Sequence, residues 1–258
     1  MIFQKVLYPT LCLVVLFAGC STDKSQESTS NVALTDSSDV NLNGNEKASS
    51  SNPNLMGDTP TLRSPSTSIR ILYLGDSITA GFGIGQEEAF PHLVQLKAQN
   101  AGLSTTTIDA GVSGDTSTGG LNRIDWLLKD RIDVLVLELG GNDGLRGVDL
   151  TLTSENLAQI IIKTKTKWPE STVVVAGMMV PPNLGHEYTE QFRSIFPALA
   201  TAHGATLIPF VLEGVGGIRE LNQPDGIHPT ANGHKIIAET VWETLEPLLR
   251  AKLLPPPA

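Results

Sequence analysis

The sequence has little cysteine and few aromatic residues. Only Cys12 and Cys20 are cysteines among 258 residues, and aromatic side chains make up 5% of the chain. Because both cysteines lie within the first twenty residues, the rest of the chain has no thiol with which to form an internal disulfide. A folded domain would therefore depend on its apolar core, for which a hydrophobic content of 40% is adequate.

Positive charge is also scarce. Eighteen lysines and arginines stand against 27 aspartates and glutamates, which gives a formal charge of -9. The chain therefore lacks the basic footprint of a nucleic-acid-binding protein, and nucleic acid is excluded as an expected partner. A net negative charge also gives no bulk attraction to an anionic membrane.

Motifs for metals and phosphates are missing as well. No His-Glu-x-x-His or Gly-Lys-Ser/Thr occurs, and Gln86 stands where a dinucleotide fingerprint beginning at Gly81 needs glycine. Four histidines show no ligand spacing and are interpreted as surface or packed residues: His92, His186, His203 and His234. No metal and no cofactor are predicted.

The N-terminus has the features of a processing signal. Lys5 precedes an apolar segment, Val6 to Ala18, that is too short to span a bilayer. The segment ends in Ala18-Gly19-Cys20, which resembles a bacterial lipobox and implies cleavage before Cys20 and lipidation of its sulfur. We therefore expect a signal peptide over residues 1–19 and an exported, membrane-anchored lipoprotein of the bacterial periplasm or cell envelope. An ordinary secretory signal and an uncleaved anchor remain the alternatives.

Residues 20–68 follow as a segment rich in Ser, Thr, Asn and Asp, with no period of 2 or 3.6. Such a segment buries too little apolar surface to offset its ordering entropy, so it is predicted to be a disordered tether. Its root-mean-square reach would be about 40 Å, enough to hold a domain clear of lipid headgroups.

Residues 69–254 alternate strand and helix patterns, with no internal repeat. Strands are predicted at 69–74, 105–109, 133–139, 173–176 and 206–210. Helices are predicted at 87–100, 118–129, 154–168, 187–203 and 232–252. Five apolar strands separated by helices predict one α/β domain, in which helices cover both faces of a five-stranded parallel sheet.

Polar or glycine-rich turns follow the predicted strands, at the edge where open parallel sheets bind ligands. Ser77 comes directly after the first strand, where a serine can be a nucleophile or merely cap the next helix. Asp225 precedes His228 by three residues, so its carboxylate can accept from Nδ1 and leave Nε2 as a base. The alternative is a loop aspartate and a loop histidine with no joint role.

Together these pieces resemble a family. Gly75-Asp76-Ser77, Gly114, Asn142 and Asp225-x-x-His228 occur in the order and at the spacings of the four blocks of SGNH (GDSL-type) hydrolases. The likeness is strongest to the bacterial periplasmic branch of thioesterases, arylesterases and lysophospholipases. It implies a flavodoxin-like, three-layer α/β/α sandwich, no cofactor, and a protein that we expect to act as a monomer.

The resemblance also implies roles. Ser77 would attack an acyl carbonyl, His228 would be its base, and Asp225 would orient the imidazole. The backbone N–H groups of Ser77 and Gly114 and the amide of Asn142 would form the oxyanion hole. The predicted substrate is a small-molecule ester or thioester, including lipid-like ones, hydrolysed through an acyl-enzyme.

Two alternatives remain open. One is a deacetylase of acetylated glycans, and the other is a catalytically silent lipoprotein that binds an acyl or glycan ligand. The apolar lip from Met178 to Pro182, together with Leu145, favours an acyl substrate. The three tryptophans, Trp126, Trp168 and Trp242, lie in predicted helices away from the strand ends and supply no sugar-stacking platform.

Overall fold

A computed structural model describes residues 68–253, and a five-stranded parallel sheet forms their centre. The strands are β1 (Ile69–Gly75), β2 (Thr105–Gly111), β3 (Val134–Glu138), β4 (Thr172–Ala176) and β5 (Thr206–Ile208). They lie in the order β2-β1-β3-β4-β5, and every neighbouring pair is parallel. The predicted signal peptide (1–19), Cys20 and the tether up to residue 67 lie outside the described residues.

Helices cover both faces of this sheet. They are α1 (Ser77–Ala80), α2 (Phe90–Asn100), α3 (Ser117–Leu127), α4 (Gly141–Arg146), α5 (Leu150–Lys167), α6 (His186–His203) and α7 (Ala231–Leu253). Helices α2 and α7 pack together, and α5 packs between α3 and α6. The two groups form the outer layers, so the predicted three-layer α/β/α sandwich is confirmed.

The core lies on both sides of the central strands. All five residues of β3 are buried, as are six of the seven in β1, because each face of the sheet is covered by helices. On the α3, α5 and α6 side, Phe192 and Phe196 pack edge to face and are almost fully buried. Across residues 68–253, no helix combines the length and the apolarity needed to cross a membrane.

Several element boundaries differ from the prediction for local reasons. The short helix α4 was not predicted, since Gly-Asn-Asp-Gly-Leu-Arg has no apolar period. Helix α5 begins at Leu150 rather than 154 because the Asp149 side chain accepts from two first-turn N–H groups. Strand β5 ends at Ile208 because the next residue, Pro209, has no N–H to donate.

The strand order decides where a ligand can bind. The chain passes from β1 to its neighbour β2 on one side of the sheet, and from β3 to its neighbour β4 on the other side. The boundary between β1 and β3 is therefore the topological switch point. Ser77 begins α1, just after β1, and Asn142 lies in α4, just after β3. The topology therefore brings two of the predicted site residues to the crevice where open α/β sheets bind ligands.

Candidate active site

Ser77, His228 and Asp225 form one hydrogen-bonded chain. Nε2 of His228 lies 3.0 Å from Oγ of Ser77, across a sequence separation of 151 residues. Nδ1 of the same ring lies 2.8 Å from Oδ2 of Asp225. The structure therefore brings together the three predicted residues with the imidazole between hydroxyl and carboxylate.

The loop between β5 and α7 holds Asp225 and His228 in this arrangement. Oδ1 of Asp225 accepts from the backbone N–H groups of Ile227 at 2.9 Å and His228 at 3.0 Å. The His228 side chain, followed by these two N–H groups, lowers the pKa of Asp225 to about 2. An ionised Asp225 only accepts hydrogen bonds, so Nδ1 of His228 donates to it and Nε2 of the neutral ring is free to accept from Ser77.

Ser77 is placed by a tight turn from β1 into α1. The Asp76 side chain caps α1 by accepting from the Ile78 N–H at 3.0 Å, and Ser77 is the first residue of the helix. First-turn N–H groups have no partner within their helix, so the Ser77 N–H is available to a ligand. Gly75 lets the turn close, because a Cβ there would overlap the side chains of Thr79 and Glu138.

Gly114 and Asn142 lie against the same guanidinium. A Cβ built on Gly114 would be 3.4 Å from Nη2 of Arg146, and that nitrogen donates to Oδ1 of Asn142 at 3.3 Å. Gly114 has φ +80°, in the left-handed region that glycine tolerates. Nδ2 of Asn142 donates one hydrogen to Oδ2 of Asp76 at 3.0 Å, which leaves its second hydrogen for a ligand.

A buried carboxyl pair, Asp76 and Glu138, supports the serine turn, and no role was predicted for either carboxyl group. Oε2 of Glu138 accepts from the backbone N–H groups of Asp76 and Thr79 and from the Thr79 hydroxyl, the last at 2.6 Å. Burial, and then the charge of Asp76, raise the pKa of Glu138 well above its usual value. Burial also raises the pKa of Asp76, to about 6. The raised pKa favours the protonated form of Glu138, while Asp76 accepts from Ile78 and Asn142.

Arg123 on α3 joins the two loops that follow β1 and β2. Its guanidinium donates to the backbone carbonyls of Ala110 at 2.7 Å and Gly75 at 3.0 Å, and to the carboxylate of Asp115 at 2.8 Å. These contacts fix the Gly114 turn relative to the serine turn. A lone arginine in a helix gives no such signal in the sequence, because its targets are backbone atoms distant along the chain.

Exposed apolar side chains lie at the edge of the sheet that carries the triad. The Phe82 ring lies 4.5 Å from the His228 ring, centroid to centroid, and is half exposed. Ile227, Leu145 and Met179 are also exposed. The predicted lip is only partly at the surface, since Met178 and Val180 are buried in the core, whereas Met179, Pro181 and Pro182 are exposed. Trp168 donates to the Leu128 carbonyl, far from the triad, as expected for the tryptophans.

Acidic residues near the site are occupied by structural hydrogen bonds. Asp143, next to Asn142, accepts from the N–H and hydroxyl of Ser117 and from the hydroxyl of Thr153, which ties α4 to α3 and α5. Within residues 68–253, no three His, Cys, Asp or Glu side chains converge as a metal site would require.

With this geometry in place, comparison with known proteins defines the class. The GDSL-like Lipase/Acylhydrolase family matches residues 73–236. Esterase TesA of Pseudomonas aeruginosa is 39% identical over 180 residues, which are 69% of this chain and 89% of that protein. Thioesterase 1/protease 1/lysophospholipase L1 of Escherichia coli K12 is 38% identical over 180 residues, 69% of this chain and 84% of that protein.

A solved structure shares the fold. The esterase EstA from Pseudoalteromonas sp., in a crystal structure inhibited by monoethylphosphonate, superposes with a TM-score of 0.66 at 31% identity. The match covers 70% of this chain and 98% of that one. The chain belongs to the GDSL-like lipase/acylhydrolase family, the SGNH hydrolases. It is a hydrolase of ester bonds, and its substrates are small-molecule esters.

Proposed function

We propose that the chain is a serine esterase in which Ser77 is the nucleophile, His228 the general base and Asp225 the residue that orients the base. The observation that carries the proposal is the continuous chain from Asp225 through His228 to Ser77, with contacts of 2.8 and 3.0 Å. A serine hydroxyl is a weak nucleophile unless a base removes its proton, and this geometry supplies that base.

The reaction follows from these contacts. Oγ of Ser77 attacks the acyl carbon while its proton moves to Nε2 of His228, and Asp225 stabilises the resulting imidazolium. The carbonyl oxygen becomes an oxyanion facing the Ser77 N–H, the Gly114 N–H and the free amide hydrogen of Asn142. The imidazolium returns its proton to the leaving alcohol or thiol, which departs and leaves an acyl-enzyme. Water, activated by the same histidine, then releases the acid.

The rim of the site favours apolar acyl groups. Phe82 presents exposed hydrocarbon beside His228, Ile227 does so next to it in the chain, and Leu145 and Met179 do so after β3 and β4, at the same edge of the sheet. Burial of such surface favours apolar ligands. Relatives whose names include thioesterase and lysophospholipase support thioesters and lipid-like esters as substrates. We therefore assign the chain a broad preference for apolar carboxylic esters and thioesters.

Two measurements test this proposal. Hydrolysis of p-nitrophenyl esters from acetyl to palmitoyl should be fastest for chains longer than acetyl, whereas a glycan deacetylase would accept acetyl alone. A fluorophosphonate should attach covalently to the peptide that contains Ser77, as found by mass spectrometry. Absence of both hydrolysis and labelling would leave a silent binding protein.

We also propose that Cys20 is lipidated and anchors an exported protein to a membrane of the bacterial cell envelope. The support is the Ala18-Gly19-Cys20 sequence after a short apolar segment. Mass spectrometry of the native protein should find a chain that begins at Cys20 with lipid on its sulfur, and Cys20→Ala should accumulate as precursor. A mature chain with unmodified Cys20 would disprove the anchor.

A further inference from the structure

The cationic side chains of residues 68–253 are concentrated at one edge of the sheet. Helices that connect parallel strands run opposite to them, so the helix ends and strand starts share an edge. Seven cations lie at or just beyond the ends of α3, α5 and α7: Lys129, Arg131, Lys163, Lys165, Lys167, Arg250 and Lys252. We call these seven residues the basic edge.

Direct contacts join the three helix ends into one surface. Nε1 of Trp168, which follows α5, donates to the carbonyl of Leu128, which follows α3, at 3.1 Å. Nζ of Lys252 donates to the carbonyl of Glu170 at 3.0 Å, and Nζ of Lys165 donates to that of Ser171 at 2.5 Å. Burial lowers the pKa of Lys252. The carboxylates of Asp133 and Glu170 act against this shift, whereas the positive charges of Lys165 and Arg131 act with it. The cations from α5, α7 and the loop after α3 are therefore close enough to influence one another.

Part of this positive charge is not neutralised by neighbours. Lys163 pairs with Asp125 at 2.8 Å, Arg250 pairs with Glu246 at 2.6 Å, and Arg131 pairs with Asp133. The exposed Lys129 and Lys167 make no ion pair with any residue between 68 and 253. A cation in the last turn of a helix is stabilised by the unpaired carbonyl groups there. Lys129 lies beyond the end of α3, so this interaction does not account for its position.

Exposed apolar side chains accompany these lysines. Trp126, near the end of α3, is 67% exposed, and Ile162 on α5 is 41% exposed. Ile162 lines a shallow groove together with Lys129, Lys163 and Lys167. Tryptophan beside lysine is typical of surfaces that meet lipid headgroups, because the indole is apolar with one polar N–H.

The opposite edge, where the triad lies, is strongly acidic. Its loops and helix starts carry Glu87, Glu88, Asp115, Asp149, Glu187, Glu213, Glu220 and Asp225. The net charge of -9 expected from the sequence is therefore unevenly distributed. An anionic surface would attract one edge and repel the other.

The chain also enters the domain at the basic edge. Strand β1 starts at Ile69, so the residues that connect Cys20 to the domain join it at the start of the sheet. Under the anchoring proposed above, this connection holds the basic edge near the membrane at a high effective concentration.

We propose that the basic edge docks on an anionic phospholipid leaflet, so that the active site faces away from the membrane that anchors the protein. The attraction of the exposed lysines, the repulsion of the acidic edge and the entry point of the chain all favour this one orientation. Its consequence is that substrates reach Ser77 from the aqueous side, as dissolved esters or thioesters.

The test uses the chain from Cys20 to Ala258, in which Cys20 is the only thiol. Coupling Cys20 to a maleimide lipid anchors the chain whether or not the cell lipidates it. Vesicles contain phosphatidylcholine alone or phosphatidylcholine with phosphatidylglycerol, and an acetylating reagent with mass spectrometry measures the exposure of each lysine. The exposed Lys235 at the start of α7, on the acidic edge, is the internal control.

We expect acetylation of Lys129 and Lys167 to be roughly five-fold lower on the phosphatidylglycerol vesicles than on phosphatidylcholine alone. This factor corresponds to the attraction of about one lysine to an anionic leaflet. Lys235 should be unaffected, and high salt should restore the labelling. The double variant Lys129→Glu, Lys167→Glu should lose the protection of Lys163 from acetylation. The matched control on the acidic edge, Arg219→Glu with Lys235→Glu, should keep that protection. Hydrolysis of a dissolved p-nitrophenyl ester, unchanged in both variants, shows that they are folded.

Equal labelling of Lys129 on the two kinds of vesicle would overturn the proposal. So would protection of Lys235 equal to that of Lys129, since the domain would then have no preferred orientation. Neither result bears on the anchor or the catalytic serine, because Cys20 is coupled chemically and Ser77 is tested by its own labelling.

Discussion

At the scale of single residues, Ser77 and His228 act as one unit. A serine without its base is a poor nucleophile, and a base without its serine has only water to activate. Ser77→Ala and His228→Ala should each remove most of kcat, and the double variant should be little slower than either. Asp225→Ala should cost less, because the base remains. Steady-state kinetics check this, with Ser113→Ala as the matched control, and additive losses in the double variant would refute a joint role.

Asn142 contributes in a different way, since its amide stabilises charge by donating a hydrogen bond and transfers no proton. Asn142→Ala should lower kcat by about 10²–10³, the cost of one oxyanion-hole donor. It should slow labelling by a fluorophosphonate without abolishing it, whereas Ser77→Ala should abolish it. Unchanged kcat in Asn142→Ala would mean that the side chain only holds Asp76, to which it donates at 3.0 Å.

Glu138 gives a prediction about stability and pH. Because its pKa is raised by burial, the folded state holds a proton that the unfolded state releases above its ordinary pKa. Stability is therefore lost as pH rises from about 4.5 toward the folded-state value. Glu138→Gln keeps an oxygen for the three donors and carries no charge. It should therefore be more stable than the parent at pH 8, and this gain in stability should be smaller at pH 4. Thermal unfolding measures this, and Glu155→Gln, at an exposed position, should show no such pH-dependent gain.

At the scale of secondary-structure elements, the apolar runs account for what could be predicted. Strands such as β3 are recognisable because four consecutive apolar residues suit a sheet covered on both faces.

The same reasoning failed for α4, whose start depends on Gly140 at φ +113° and not on any apolar period. It also missed Glu138, because a glutamate that ends a buried strand looks the same in sequence whether it faces water or the core. Ser77, Asn142 and Asp225-x-x-His228 could be proposed from the sequence because each matches a motif that follows a predicted strand. Asp76 and Arg123 act through contacts that only the fold creates.

The packing of α7 against α2 depends on His234. Its Nδ1 accepts from the Phe90 N–H at 3.2 Å, and burial lowers its pKa to about 4. The unfolded histidine binds a proton near pH 6.5, so stability is retained above that pH and lost as pH falls from 6.5 toward 4. The loss is on the order of 3 kcal/mol. His234→Gln should be less stable than the parent at pH 7 but nearly equal at pH 4, by thermal unfolding. His186→Gln, at an exposed position, should track the parent at every pH.

At the scale of the whole molecule, one stretch of the chain, residues 68–253, contains both the hydrophobic core and the triad. Every strand pairs within 69–208, and α7 closes the core by contacts with α2 and β5. The first contact of the described chain is made by Ser68, whose hydroxyl lies 2.8 Å from that of Thr106. A chain that begins at Thr67 retains all of these contacts. It also retains the five residues proposed to carry the reaction.

We therefore expect the chain from Thr67 to Ala258 to fold, to be soluble and to keep the full esterase activity. Its kcat/KM for a dissolved p-nitrophenyl ester should equal that of the chain from Cys20 to Ala258, because Ser77, Asp225 and His228 make the hydrogen bonds described above to residues that the shorter chain keeps. The two chains should also unfold at the same temperature, since the sheet, the helices and their core are unchanged. A chain from Thr107, which lacks β1 and Ser77, is the control that should neither fold nor hydrolyse the ester. If the chain from Thr67 is folded by circular dichroism yet inactive, residues between 20 and 66 take part in the site, and the assignment of catalysis to residues 69–254 alone would be wrong.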